Sequence, residues 1–117
     1  MKIVPDQCQV SQAMDVIIGK WKLAILLHLL AHGPTRFGAL QRAVPAVTPK
    51  VLTQQLRELE EEDIINRNVY PENPPKVEYD ISTYGQSLEP ILNAMHQWGL
   101  DHMAYKQTRD KKEDNGV

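Results

Sequence analysis

Lys50, Thr53, Gln54 and Arg57 recur at helical spacing, and each of these side chains can donate a hydrogen bond. Donors of this kind suit phosphate oxygens and base edges. The plainer reading is a solvated helix face. His28 and His32 lie four residues apart, a spacing that can put two metal ligands on one side of a helix. No cysteine or carboxylate stands near them in sequence to complete a set, so neither a metal nor a cofactor is expected. Cys8 is the one cysteine of the chain. It cannot form an internal disulfide, but it can pair with a second copy or a small thiol, or react with an electrophile or oxidant. An inert cysteine is the alternative, and both readings stay open. There is no nucleophile with a partnered base, no paired carboxylates in a pocket-like context and no glycine-rich phosphate loop, so the chain does not read as an enzyme.

The elements that must position these groups can be read around them. Thr48-Pro49 is a helix cap followed by proline at the first helical position. Leu52, Leu56 and Leu59 then keep the i, i+4, i+7 spacing of a core stripe, on the side away from the four donors. The helix runs into Glu58, Glu60, Glu61 and Glu62. Carboxylates repel phosphate and oppose the dipole at a helix C-terminus, so only the front half of this helix suits a phosphate surface.

Upstream, Trp21 to Leu30 is apolar nearly all round, which marks a buried helix. Gly19 is a break before it and Gly33-Pro34 a stop after it. Thr35 to Val44 reads as a short helix ended before Pro45, with Arg36 at its start as a phosphate contact. Trp21, Leu26, Leu30, Phe37 and Leu40 are read as core. Downstream, Ile64–Tyr70 and Lys76–Ile81 read as strands joined by the proline-stiffened turn Pro71 to Pro75. Lys76 lies beside that turn, within reach of a phosphate or minor groove, and Arg67 is a further candidate. Thr83 is read as the cap of a final helix that runs past Met103, with Pro90 in its first turns or at a kink. The charged stretch 106–117 is expected to be a disordered tail.

The composition is that of one ordinary globular domain, 42% hydrophobic and 24% charged, with a formal net charge of −2. The charge is unevenly placed. Met1 to Arg57 holds seven basic and two acidic residues, a charge of +5, whereas the rest holds six basic and thirteen acidic, −7. A positive face is compatible with this distribution, and local field governs phosphate attraction more than net charge does. Met1 to Val10 lacks the apolar run of a signal peptide. The longest apolar run, Leu23 to Ala31, is too short to cross a bilayer, so no membrane partner is expected. A lone cysteine suits a reducing, cytoplasmic setting.

Helix, helix, capped helix, two strands and a further helix make the winged helix-turn-helix order. Several stretches carry a more specific likeness. They are Asp15 to Lys22, Arg36-Phe37-Gly38-Ala39-Leu40, Leu52 to Glu60, Tyr70, Pro74 to Tyr79, and Leu88 to Leu92 with Trp98-Gly99. In these the chain closely resembles the HxlR-type family of bacterial transcriptional regulators, from Cys8 to about Leu100. The resemblance implies a mainly α (α+β) winged helix-turn-helix domain at 1–105, with a two-stranded β wing and a C-terminal dimerisation helix. It implies a homodimer on roughly palindromic double-stranded operator DNA, acting as repressor or activator. The DNA-contacting set is then Arg36, Thr48, Pro49, Lys50, Thr53, Gln54, Arg57, Arg67 and Lys76. The dimer interface is expected at Leu92, Met95, Trp98, Leu100 and Met103, with the N-terminal segment. Related regulators include thiol-based sensors of oxidants and electrophiles, which gives Cys8 a redox-sensing role to consider. Two positions depart from the family pattern: Asp63 stands where glycine is usual, and Gln9 where proline commonly follows the cysteine.

Overall fold

The computed structural model describes residues 4–17, 19 and 21–115. The elements follow the order α1 (Gln7–Ile17), α2 (Lys22–His32), β1 (Thr35–Arg36), α3 (Phe37–Ala43), α4 (Pro49–Glu61), β2 (Ile65–Tyr70), β3 (Lys76–Ile81), a 3-10 turn (Gly85–Leu88) and α5 (Glu89–Asn115). Two compact units divide after Gln86.

In the first unit, α2 supplies the centre of the core. Ile25, Leu26 and Leu29 are at most 2% exposed, and the helix packs against α3, α4 and β3. Leu40 of α3 and the Leu52, Leu56 and Leu59 stripe of α4 complete this layer. Each such leucine contributes about 1.5–3 kcal/mol by leaving water. Trp21, Leu30 and Phe37 are half-buried at its margin. Gly33 ends α2 with φ 75, a left-handed value that glycine adopts without a Cβ clash.

The sheet has three antiparallel strands in the order β1-β3-β2, one more than the two expected. Thr35 and Arg36 pair with Tyr79 and Glu78, so they form an edge strand rather than the first turn of a helix. Arg36 is the extended N-cap residue of α3, with ψ 157. The wing proper pairs Ile65 with Ile81 through Tyr70 with Lys76.

The turn from α4 into the wing is tightly specified. Asp63 has φ 62, the left-handed conformation for which glycine is usual. The Ser82 hydroxyl donates to the Asp63 carbonyl at 2.6 Å, and the Gly85 amide donates to that hydroxyl at 2.8 Å. A Cβ on Gly85 would lie 2.1 Å from the Ile64 carbonyl oxygen, so only glycine fits there. The cap at this point is therefore Ser82, not Thr83. A 3-10 turn intervenes before α5 begins at Glu89, and Pro90 sits in the first turn of α5.

The second unit is mostly α5, which continues to Asn115. A disordered tail was expected from 106. Within this stretch Arg109 meets Asp110 at 3.5 Å, and the Thr108 hydroxyl donates to the Ala104 carbonyl at 3.1 Å.

Candidate nucleic-acid interface

The interface begins with the capping of α4. Thr48 Oγ1 accepts from the Val51 amide at 3.2 Å, and Pro49 follows at the start of the helix. The cap fixes where the helix begins, and its buried leucines fix its rotation. Thr48, Pro49, Lys50, Thr53, Gln54 and Arg57 are consequently all exposed. In the Val44–Thr48 connection, Val47 is buried and its carbonyl accepts from the Gln41 amide, which ties the end of α3 to the approach of α4.

Two of the four donors are engaged within the protein. Thr53 Oγ1 donates to the Pro49 carbonyl at 2.8 Å, and Gln54 Nε2 donates to Glu58 Oε1 at 3.2 Å. Glu58 in turn meets Lys22 Nζ at 2.9 Å. The Lys22 hydrogen bond, then the Gln54 amide and the Lys22 charge, hold the Glu58 carboxyl below the usual carboxylate range. Lys22, at the start of α2, thus steadies Gln54 through Glu58. Nothing in local sequence signals this link, because it joins elements far apart in the chain. Glu60, Glu61 and Glu62 are exposed, as a solvated acidic end requires.

The remaining positive candidates are spread around α4. Arg36 is exposed at the N-cap of α3. Arg67 is exposed on β2 directly opposite Tyr79. Lys76 is held locally, with Nζ 2.6 Å from Glu78 Oε1 and 5.1 Å above the Tyr70 ring. A phosphate would have to draw it away from Glu78. A recess brings Thr53, Arg57 and Arg67 together with Glu60 and Tyr79. Sequence reasoning missed Tyr79. The pairing of Arg67 with Tyr79 across the wing was the signal that could have found it. The larger cleft, about 510 Å³, lies between α1 and the far end of α4 and is lined by Asp15, Glu58, Glu61 and Glu62 among others. Its charge is the wrong sign for phosphate.

Cys8 is an exposed free thiol in the first turn of α1. Its amide donates to Asp6 Oδ1 at 2.8 Å, so Asp6 caps the helix. His28 and His32 have ring centroids 4.5 Å apart, and no group of three or more candidate ligands forms among the described residues. Burial, then the neighbouring His32 charge, lowers the His28 pKa. On α5, Met95, Trp98, Leu100 and Met103 are 42–66% exposed. Leu92, expected with them at the dimer interface, differs at 5% exposed.

The fold agrees with known relatives. The sequence profile of the HxlR-like helix-turn-helix family matches residues 16–107. The chain belongs to that family. It is similar to the HTH-type transcriptional regulator YtcD of Bacillus subtilis, 53% identical over 94 residues that cover 80% of this chain and 74% of YtcD. The structure of the redox regulator HypR in its reduced form superposes with a TM-score of 0.78 at 41% identity, covering 86% of this chain and 98% of that one. Diamide-treated YodB from B. subtilis superposes with a TM-score of 0.68 at 30% identity, covering 80% and 91%. This HxlR-like protein is therefore a DNA-binding transcriptional regulator of the helix-turn-helix type and not an enzyme. No described helix is long and apolar enough to cross a membrane.

Proposed function

We propose that this HxlR-like protein is a homodimeric, sequence-specific repressor that binds a roughly palindromic operator in the cytoplasm and releases it when Cys8 is modified. The observation that carries the DNA reading is the two-sidedness of α4. Leu52, Leu56 and Leu59 are at most 1% exposed, whereas Lys50, Thr53, Gln54 and Arg57 stand outward. A recognition helix needs its apolar side fixed in the core and its donors free to enter a major groove. Arg36, Thr48 and Pro49 then lie along the phosphates flanking the front of α4, with Arg67 and Lys76 on the wing.

Dimerisation is supported by α5. Ile91, Met95, Trp98 and Tyr105 recur at i, i+4, i+7, i+14 on one side of the helix, and Leu100 and Met103 are exposed on other sides of it. So much exposed apolar surface on one helix suits a second copy better than water. On α1, Val10 and Met14 are exposed as well. Two recognition helices related by a two-fold axis would read half-sites about one helical turn of DNA apart.

The sensing role rests on the exposure of the Cys8 thiol and on the likeness to HypR and YodB, whose structures are of a redox regulator and of a diamide-treated regulator. With diamide, two Cys8 thiols of a dimer lose two protons and two electrons to the N=N bond. The products are one intersubunit disulfide and one hydrazine. The test is binding to the chain's own upstream DNA with and without diamide. Wild-type protein should shift that DNA and release it on oxidation, whereas Cys8→Ser should hold it under both conditions. Release by the serine variant removes Cys8 from the switch. Failure of the reduced wild type to bind rejects the DNA reading itself.

A further inference from the structure

Thr53, Arg57, Glu60, Arg67 and Tyr79 line a recess of about 320 Å³ between α4 and the wing. The three α4 residues fall at i, i+4 and i+7, on one side of the helix. Arg67 and Tyr79 are direct cross-strand partners, so they leave the sheet on the same face. Helix and wing therefore turn these groups toward one space.

The polar groups in that space are under-used. Neither guanidinium has a hydrogen bond or an ion pair among the described residues. Each has five donors in a planar fork suited to an oxyanion. Tyr79 is 9% exposed, yet its hydroxyl has no hydrogen-bond partner among the described residues. A phenol this deeply buried ordinarily finds a partner. The oxygen is not sealed off, since Gln41 Oε1 is the one fully enclosed side-chain polar atom without a partner among the described residues. The opening that Tyr79 lines is this recess.

The charge of the recess narrows the ligand. Two guanidinium groups and the Glu60 carboxylate leave a net +1, which one monoanion neutralises. The Thr53 hydroxyl donates its hydrogen bond to the Pro49 carbonyl and adds no free donor. A phosphodiester carries one negative charge and two unbridged oxygens that accept several bonds.

We infer that the recess is a phosphate seat, in which one DNA backbone phosphodiester is held jointly by Arg57, Arg67 and the Tyr79 hydroxyl. The seat ties the recognition helix and the wing to the same phosphate, so the two elements read the duplex in one register. This inference rests on the DNA-binding reading above and assigns the role of Tyr79 within it. The same chemistry accommodates inorganic phosphate.

The test is duplex affinity against salt concentration for the full chain, with the thermal midpoint of each variant checked first. Arg57→Gln with Arg67→Gln should lower the log–log salt slope of the dimer by about 1.8, the counterion release of one phosphate in each half-site. A fall of about 3.6 shows that the arginines serve separate phosphates and overturns the seat while leaving the DNA reading intact. Tyr79→Phe keeps the packed ring and removes only the hydroxyl. It should weaken binding roughly tenfold per half-site, about a hundredfold for the dimer, the scale of one charge-assisted hydrogen bond in each, with slope and thermal midpoint unchanged. Wild-type affinity in that variant overturns the part given to the hydroxyl. Inorganic phosphate, titrated at constant ionic strength, should move the Nε–H resonances of Arg57 and Arg67 together. Movement of one alone, or of neither, counts against a shared seat. A wild-type chain that binds no duplex refutes the DNA reading, which separates that failure from failure of the seat.

Discussion

Replacing Asp63 with glycine should stabilise the protein. Asp63 has φ 62, its amide donates to the Glu60 carbonyl at 3.0 Å, and its carbonyl accepts from Ser82 at 2.6 Å. The backbone is thus held left-handed by bonds that glycine would keep. Relief of the left-handed strain is worth about 1–2 kcal/mol, with the lower end fitting aspartate. Removing a carboxylate just beyond the C-terminus of α4 adds about 0.3–1 kcal/mol. Against these, glycine loses about 0.5–1 kcal/mol more conformational freedom on folding. The balance is close to +1 kcal/mol, a rise in thermal midpoint of about 4–8 °C for a domain of this size. Urea denaturation with a two-state fit measures it, and the slope with denaturant should not change. Asp63→Ala keeps the left-handed strain and should fall below the glycine variant. A glycine variant no more stable than the parent would refute the reasoning, because it would mean that the turn does not carry the strain assigned to it.

Three further outcomes follow from particular contacts. Gly85→Ala drives a Cβ to 2.1 Å from the Ile64 carbonyl oxygen, and should cost about 1–3 kcal/mol or more as the turn shifts, measured by the same denaturation. Folding stability should fall as pH drops below 6.5, because the His28 pKa is lowered in the folded chain and the unfolded chain takes up the proton first. His28→Gln should flatten the thermal midpoint between pH 7 and 5, in a range chosen to bracket the ordinary histidine value of about 6.5. Trp98→Glu places a charge in the exposed apolar stripe of α5, and sedimentation should show a monomer in place of a dimer.

The parts legible in the sequence were those set by neighbours along the chain. Thr48-Pro49 announced the start of α4, and the leucine spacing announced which side would be buried. Alternation announced β3, and the family resemblance, with glycine usual where Asp63 stands, implied a left-handed residue. What escaped was set by residues brought together from afar. Thr35 and Arg36 become a strand only because Tyr79 and Glu78 lie beside them. Ser82 displaces Thr83 as the cap because its hydroxyl reaches the Asp63 carbonyl across the turn. Lys22 governs Gln54 through Glu58, and Tyr79 faces Arg57 and Arg67, neither of which local pattern can express. Leu92 looked like its exposed neighbours on α5 because composition does not show which residue of a helix is buried. The tail escaped for a different reason. Its charges suggested disorder, while α5 runs on through it to Asn115.

The most direct test of the central claim is a footprint of the reduced protein on its own upstream DNA, paired with Lys50→Glu. Lys50 is exposed at the front of α4, so the variant should fold like the parent. Wild-type protein should protect two half-sites related by a two-fold axis and spaced by about one turn of the duplex, and protection should weaken steeply with salt. The glutamate variant should protect nothing at the same concentration. Equal protection by both proteins, or protection indifferent to salt, would contradict the reading of α4 as the recognition helix.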